Sequence, residues 1–134
     1  MNLKLETINF EIIENVAIIR LNRPNSYNSL NAKMAKELLE ISYECDTNKK
    51  IRAIILTGEG DKAFCAGGDL KSFDETGNVA KHLKMVTHDL HGAITKFSRM
   101  NSPLIVAVNG VAAGAGLSFV GFADLAIAKS SATF

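Results

Sequence analysis

Two short stretches of this chain, residues 64–70 (FCAGGDL) and 109–118 (NGVAAGAGLS), combine residue types that let a ligand touch the main chain. Glycine and alanine leave the backbone uncovered, and glycine reaches conformations that other residues avoid. Where such a turn opens a helix, the first N–H groups have no partner within the helix, and the dipole favours negative charge there. A carbonyl oxygen held between two such donors would be stabilised as it gains charge. That is an oxyanion hole, in which each donor is worth about 3 kcal/mol, or 10²–10³ in rate. Tight turns and close helix–sheet packing call for the same glycines. Neither stretch makes GxGxxG after a strand, and no GKS or GKT is present for a phosphate loop.

Other reactive side chains are weaker candidates. His88 and His91 lie about one helical turn apart on the side away from Val79 and Phe97, and no Cys or Glu ligand follows at metal spacing, so they read as a surface pair. His82 flanks the apolar stripe and could approach a pocket. Asp69, directly after two glycines, reads as a cap or an orienter of its loop rather than a base. Asp124 reads as structural at the start of a strand. Ser118 reads as a small helix residue packed on the sheet; its surroundings, GLSFVG, are not the GxSxG elbow of a nucleophilic serine. Cys45 and Cys65 are too far apart for a CxxC metal spacing, which suits a reduced, cytoplasmic protein.

The elements that must position the two turns follow from periodicity. Ile8–Ile13 and Val16–Leu21 read as a hairpin joined at Glu14-Asn15, ended by Arg23-Pro24. Ser29 or Asn31 can cap a helix whose apolar face is Met34, Leu38, Ile41 and Cys45. A strand over 52–57, turn residues Gly58-Glu59-Gly60-Asp61, and a short strand at 63–65 lead to the first glycine-rich turn. The spacing of Val79, Leu83, Val86, Leu90, Ile94 and Phe97 predicts a helix over 79–100 that leaves at Ser102-Pro103. A strand at 104–108, a turn at 110–114, a short helix at 115–122 and a strand at 125–128 complete the chain. Strand–helix alternation predicts an α/β fold with mostly parallel strands.

The 134 residues suffice for one domain, and no linker-like tract divides them. Apolar residues make up 47% and charged residues 22%, which excludes a disordered chain. Fifteen basic against fourteen acidic residues leave a formal charge of +1, no footprint for nucleic acid. Residues 104–123 carry no charge, and Gly110 and Gly114 form GxxxG, as in a membrane helix pair. Asn109-Gly110 breaks that window and no Trp or Tyr flanks it, so it reads as a buried strand, turn and helix.

Taken in order and spacing, RPNSYNSLN, IRAIILTGEGDKAFCAGGDL and SPLIVAVNGVAAGAGLSFVGFADLAIA resemble the crotonase superfamily, the enoyl-CoA hydratase/isomerase family, over nearly the whole chain. The resemblance implies a crotonase-like spiral of ββα units, the fold class shared with Clp-type peptidases, and an acyl-CoA thioester as ligand. It implies no separate cofactor, coenzyme A being part of the substrate, and no metal. The N–H groups of Gly68 and Ala115 would form the oxyanion hole. Ala66, Asp69 and Leu70 would lie along the coenzyme A, near its adenine and pantetheine, and Asn25, Ser26 and Tyr27 would form another wall. Hydratases of the family carry a glutamate at the position of Ser118, so the expectation is isomerase-like rather than hydratase-like chemistry, in fatty acid metabolism. The resemblance stops at Phe134, before the family's later acid/base residue and the C-terminal helices that help build trimers. This predicts a core domain over 1–134 that is incomplete at its C-terminus, with impaired chemistry, and a homotrimer or hexamer where the chain continues. The alternatives are a non-catalytic remnant that binds acyl-CoA or a partner, with an exposed apolar edge near residues 125–134, and a Clp-like serine peptidase.

Overall fold

The structure, a computed structural model, describes residues 2–75 and 77–134. Its first elements are strands β1 (Ile8–Ile13) and β2 (Val16–Leu21), an antiparallel hairpin whose loop residues Glu14 and Asn15 have φ of 47° and 70°. Two consecutive positive φ values match a two-residue turn that follows the strands' right-handed twist. Helix α1 (Ala32–Thr47) follows, and Asn31 rather than Ser29 caps it by accepting from the Met34 N–H at 2.9 Å. Strands β3 (Ala53–Gly58) and β4 (Ala63–Cys65) lead to helix α2 (Leu70–Asp74), then α3 (Val79–Arg99), β5 (Leu104–Val108), β6 (Val111–Ala112), α4 (Ala115–Phe122) and β7 (Leu125–Ala128).

The main sheet has five strands in the order β1-β2-β3-β5-β7, parallel from β2 onward. Parallel neighbours need crossover connections, and α1, α3 and α4 supply them. β4 and β6 form a separate two-stranded parallel sheet. One face of the main sheet is closed: Ala17, Ile19 and Leu21, then Ile54 and Leu56, then Leu104, Val106 and Val108, are all buried. Met34, Leu38 and Ile41 of α1 and Val86, Leu90, Ala93 and Phe97 of α3 share that core.

Three expectations need correction. Val79 and Leu83, read as the start of the α3 stripe, are exposed; the buried face begins at Val86, where α3 reaches the core shared with α1. Residues 111–112 form β6, not turn, since their ladder partner is a distant strand that periodicity cannot reveal. Residues 70–74 form a helix, capped by the Asp69 side chain, where only a turn was expected. Among the described residues, no helix is long and apolar enough to cross a membrane.

The N-terminal segment is fastened by a buried acid. Glu37 on α1 is 1% exposed and accepts from the Glu6 and Thr7 N–H groups at 2.8 and 3.0 Å and from the Thr7 hydroxyl at 2.6 Å. Removing an acceptor strands its buried donors. Glu37→Ala is expected to cost about 3 kcal/mol in urea unfolding and Glu37→Gln, which keeps an acceptor, about 1 kcal/mol. Equal losses for the two variants would show that the carboxylate cage contributes little.

Candidate functional site

The loop between β2 and α1 opens with Pro24, whose fixed φ suits the start of the single 3₁₀ turn Pro24–Ser26. Tyr27 and Asn28 then both take φ of 53°, an uncommon conformation that the surroundings must sustain. The Asn28 side chain does so. It is fully buried, its Oδ1 accepts from the Arg23 N–H at 2.9 Å, and its Nδ2 donates to the carbonyls of Glu59 (3.0 Å) and Ala63 (2.9 Å). Asn109 grips the same turn from the other side. Its Oδ1 accepts from the Gly58 N–H at 3.0 Å, and its Nδ2 donates to the carbonyls of Gly60 (2.8 Å) and Ala63 (3.2 Å). Asn28 has no role in the reading of the sequence, and Asn109 reads there only as part of a turn. Two asparagines flanking glycine-rich loops were the available signal.

These clamps shape a cleft of about 350 Å³ lined by Pro24, Asn25, Tyr27 and the 59–63 turn. Asn25 and Tyr27 therefore face a common space, with Lys62 on the opposite wall. Ser26 is half-buried and spends its carbonyl on the Ser29 N–H. A wider hollow of about 630 Å³ lies along the outer side of α3, at Lys81, Met85 and His88, and contains none of the expected site residues.

The first glycine-rich turn is held like a strand. Gly67 accepts from the Leu30 N–H at 2.7 Å and the Asp69 N–H donates to the Leu30 carbonyl at 2.8 Å, so both face Leu30. By the alternation of an extended backbone, the N–H of Gly68 between them faces away. The second turn is seated directly on the first. The Ala113 N–H donates to the Cys65 carbonyl at 3.0 Å, a Cβ on Gly114 would stand 3.3 Å from the Gly67 Cα, and one on Gly116 would run into the Cys65 carbonyl. Glycine is required here for close approach, and at Gly67 (φ 102°) and Gly114 (φ 53°) for conformation as well. Ala115 begins α4, and Gly114 offers it no side-chain cap. No hydrogen-bond partner for the N–H of Gly68 or Ala115 is found among the described residues. Each of two abutting turns thus carries one main-chain N–H without a hydrogen-bond partner among the described residues, one of them at a helix N-terminus.

The remaining expected residues surround this point. Ala66 and Leu70 are exposed. Asp69 is engaged: its carboxylate accepts from Arg23 at 2.9 Å and caps the Ser72 N–H at 3.4 Å. Burial opposes ionisation of Asp69, but the hydrogen bond from Arg23, the Ser72 and Lys71 N–H groups and the guanidinium charge outweigh it and hold the carboxyl below its ordinary range. A carboxylate so stabilised is a poor proton acceptor. Cys65 is buried, and burial pushes its thiol up despite the Gly67 N–H beside it, which leaves it protonated and unreactive at neutral pH. The Phe73 ring lies under Gly68, its Cε2 2.8 Å from where a Cβ would stand, and it stacks at a tilt on half-buried His82 with centroids 5.4 Å apart. Asp124 is structural: its carboxylate accepts from the Leu104 N–H at 2.7 Å.

Ser118 departs from expectation. It is exposed, and its hydroxyl bonds only back to the Gly114 carbonyl at 3.4 Å, because it falls on the outer side of α4 while Phe119 turns inward. No histidine is hydrogen-bonded to it, so nothing among the described residues equips it as a nucleophile. No three metal-binding side chains come together among the described residues.

Comparison with known proteins shows the family of the chain. Residues 11–134 match the family model described as enoyl-CoA hydratase/isomerase. The chain is 36% identical to 1,2-epoxyphenylacetyl-CoA isomerase of Escherichia coli, covering 97% of this chain and 50% of the relative. It is 34% identical to a 4-chlorobenzoyl coenzyme A dehalogenase of Arthrobacter, covering 95% and 46%. It is 35% identical to (E)-benzylidenesuccinyl-CoA hydratase of Thauera aromatica, covering 95% and 48%. A crystal structure of an enoyl-CoA hydratase/isomerase from Mycobacterium paratuberculosis superposes with a TM-score of 0.87 at 30% identity, over 97% of this chain and 52% of that one. The chain spans about half the length of the curated relatives it matches.

Proposed function

Because this chain belongs to the enoyl-CoA hydratase/isomerase family, we propose that it binds an acyl-CoA thioester and stabilises the thioester enolate between the N–H groups of Gly68 and Ala115. The observation that carries this reading is a pair of donors, on two abutting turns, that have no hydrogen-bond partner among the described residues. Such donors are already oriented before the carbonyl gains charge, so no reorganisation is needed as the enolate forms. The acyl carbonyl would sit at the Gly68–Ala115 junction. Ala66, Asp69 and Leu70 would line the path of the coenzyme A, and the cleft at Asn25 and Tyr27 would take its far end, with Ser26 supporting that wall from within the turn.

The relatives named above carry out a hydration, an isomerisation and a dehalogenation, so membership alone does not choose among reactions. Ser118 does bear on it. An exposed hydroxyl bonded to a carbonyl cannot take a proton from water at neutral pH, and this favours isomerase-like over hydratase-like chemistry. Moving the α-proton is assigned to a carboxylate other than Asp69, whose ion pair with Arg23 makes it a poor base. That help is typically worth 10²–10⁴ in rate, so binding should persist where turnover is weak.

Calorimetric titration with crotonyl-CoA is expected to show saturable heat, with negligible hydration of the bound ligand. Ser118→Glu is expected not to restore hydration. No heat with any of several acyl lengths would remove the ligand, and hydration near the common enzyme kcat of about 10 s⁻¹ would remove the role given to Ser118. A second reading, binding without turnover, is favoured by an apolar edge, where Leu125 and Ile127 of β7 are 62% and 67% exposed and Phe134, six residues past the strand, is 66% exposed. Exchange of the α-protons of butyryl-CoA, a saturated ligand, with deuterated water separates the two: reversible enolate formation produces it, and bare binding does not.

A further inference from the structure

Arg23 does more than pair with Asp69, because its guanidinium joins the two loops that frame the site. Nη1 donates to the Ser29 carbonyl at 2.7 Å and lies 3.3 Å from the Ser29 hydroxyl, and Nη2 donates to the Asp69 carboxylate at 2.9 Å. The pair is largely withdrawn from water, with side chains 20% and 16% exposed. The two gripped residues flank the register that fixes Gly68: Ser29 precedes Leu30, and Asp69 follows Gly68 in the Leu30–Gly68 bridge. Asp69 also caps α2, which carries the Phe73 ring beneath Gly68. Arg23 is itself anchored, since its N–H donates to Asn28 Oδ1 and its carbonyl accepts from the Ser26 and Asn28 N–H groups.

We propose that Arg23 is a positioning residue of the acyl site, its guanidinium locking the Gly67-Gly68-Asp69 segment against Ser29 and Leu30 so that the Gly68 N–H is directed at the ligand carbonyl. The role rests on the oxyanion assignment above. A planar guanidinium presents separate N–H groups to a carbonyl and a carboxylate in a fixed fork, whereas the lysine ammonium is one compact charge on a flexible stem. Without the fork, the Asp69 carboxylate loses its cation and the bridge at Leu30 loses its lateral support. The expected consequence is misalignment of one donor rather than loss of the binding surface.

The test compares the wild-type protein with Arg23→Gln and Arg23→Lys. In the unliganded protein, the Gly68 amide resonance is expected to shift or broaden in Arg23→Gln and to return part of the way in Arg23→Lys. Arg23→Gln is expected to weaken acetoacetyl-CoA, an enolate-like ligand, by about tenfold or more while coenzyme A without an acyl group changes by less than about threefold. An unmoved Gly68 amide, or proportional weakening of both ligands, would overturn the proposal. Should Arg23→Gln fail to fold, Asp69→Asn keeps a cap acceptor and removes the charge partner, and is read by the Gly68 amide resonance alone, which is expected to shift or broaden. If the wild-type protein binds neither ligand, the acyl-CoA reading falls, and the amide resonance still decides the role of Arg23.

Discussion

Gly68→Pro is expected to weaken acetoacetyl-CoA by about 10²-fold and to abolish the infrared shift of the bound acyl carbonyl, the size of effect associated with one oxyanion donor. Proline is the one residue that removes a main-chain N–H. Among the described residues no group accepts from that N–H, so its loss breaks no hydrogen bond among them. The added Cβ does meet Phe73 Cε2 at 2.8 Å, a contact that requires the ring to shift. Gly68→Ala is therefore the control, because it carries the same Cβ and keeps the donor. Both variants are expected to lose about 1–3 kcal/mol of stability from overpacking, and only the proline variant to lose the carbonyl shift. A folded Gly68→Pro protein that polarises the carbonyl as strongly as Gly68→Ala would leave Ala115 as the sole donor.

Gly116→Ala is expected to be among the most damaging single-methyl additions in the chain, at about 3 kcal/mol or more. Its Cβ would collide with the Cys65 carbonyl and approach the Cys65 carbonyl carbon and Cβ to 2.9 Å, and two of those three atoms are backbone. Neither side can yield by a rotamer change, so the start of α4 would have to move off β4. Against a typical stability of 5–15 kcal/mol the melting temperature should fall by roughly 10 °C. Because α4 carries the Ala115 donor, acyl-CoA affinity should fall with it. Gly121, in the same helix, supplies the comparison: a Cβ there meets nothing within 4 Å. Gly121→Ala is expected to be neutral or to stabilise by about 0.5–1 kcal/mol, since alanine loses less chain entropy than glycine in a helix. Equal melting temperatures for Gly116→Ala and Gly121→Ala would mean that α4 is not seated on Cys65 as described.

Local pattern was enough to locate most of the elements. The alternation through Ile8–Ile13 and Val16–Leu21, the Glu14-Asn15 turn, the face of Met34, Leu38, Ile41 and Cys45, and the uncharged run that becomes β5 and α4 were all readable. Each depends on neighbours a few residues away, and period and turn chemistry are properties of such neighbours. The two glycine-rich stretches were legible for a similar reason, as backbone left bare enough for another group to approach.

What tertiary structure alone decided is which distant segments meet. Asn28 and Asn109, 81 positions apart by their numbering, converge on the Ala63 carbonyl, and Arg23 meets Asp69 across an interval of 46 residues. Val79 and Leu83 satisfy the helical period yet face outward, and Ser118 lies on the open side of α4, because burial is set by the partner an element finds rather than by its own sequence. β6 exists only because β4 lies beside it. Local composition accounts for two turns that leave their backbone uncovered. The fold determined that the two turns abut, since a hydrogen bond or a close contact between remote residues depends on the path of all the chain that separates them.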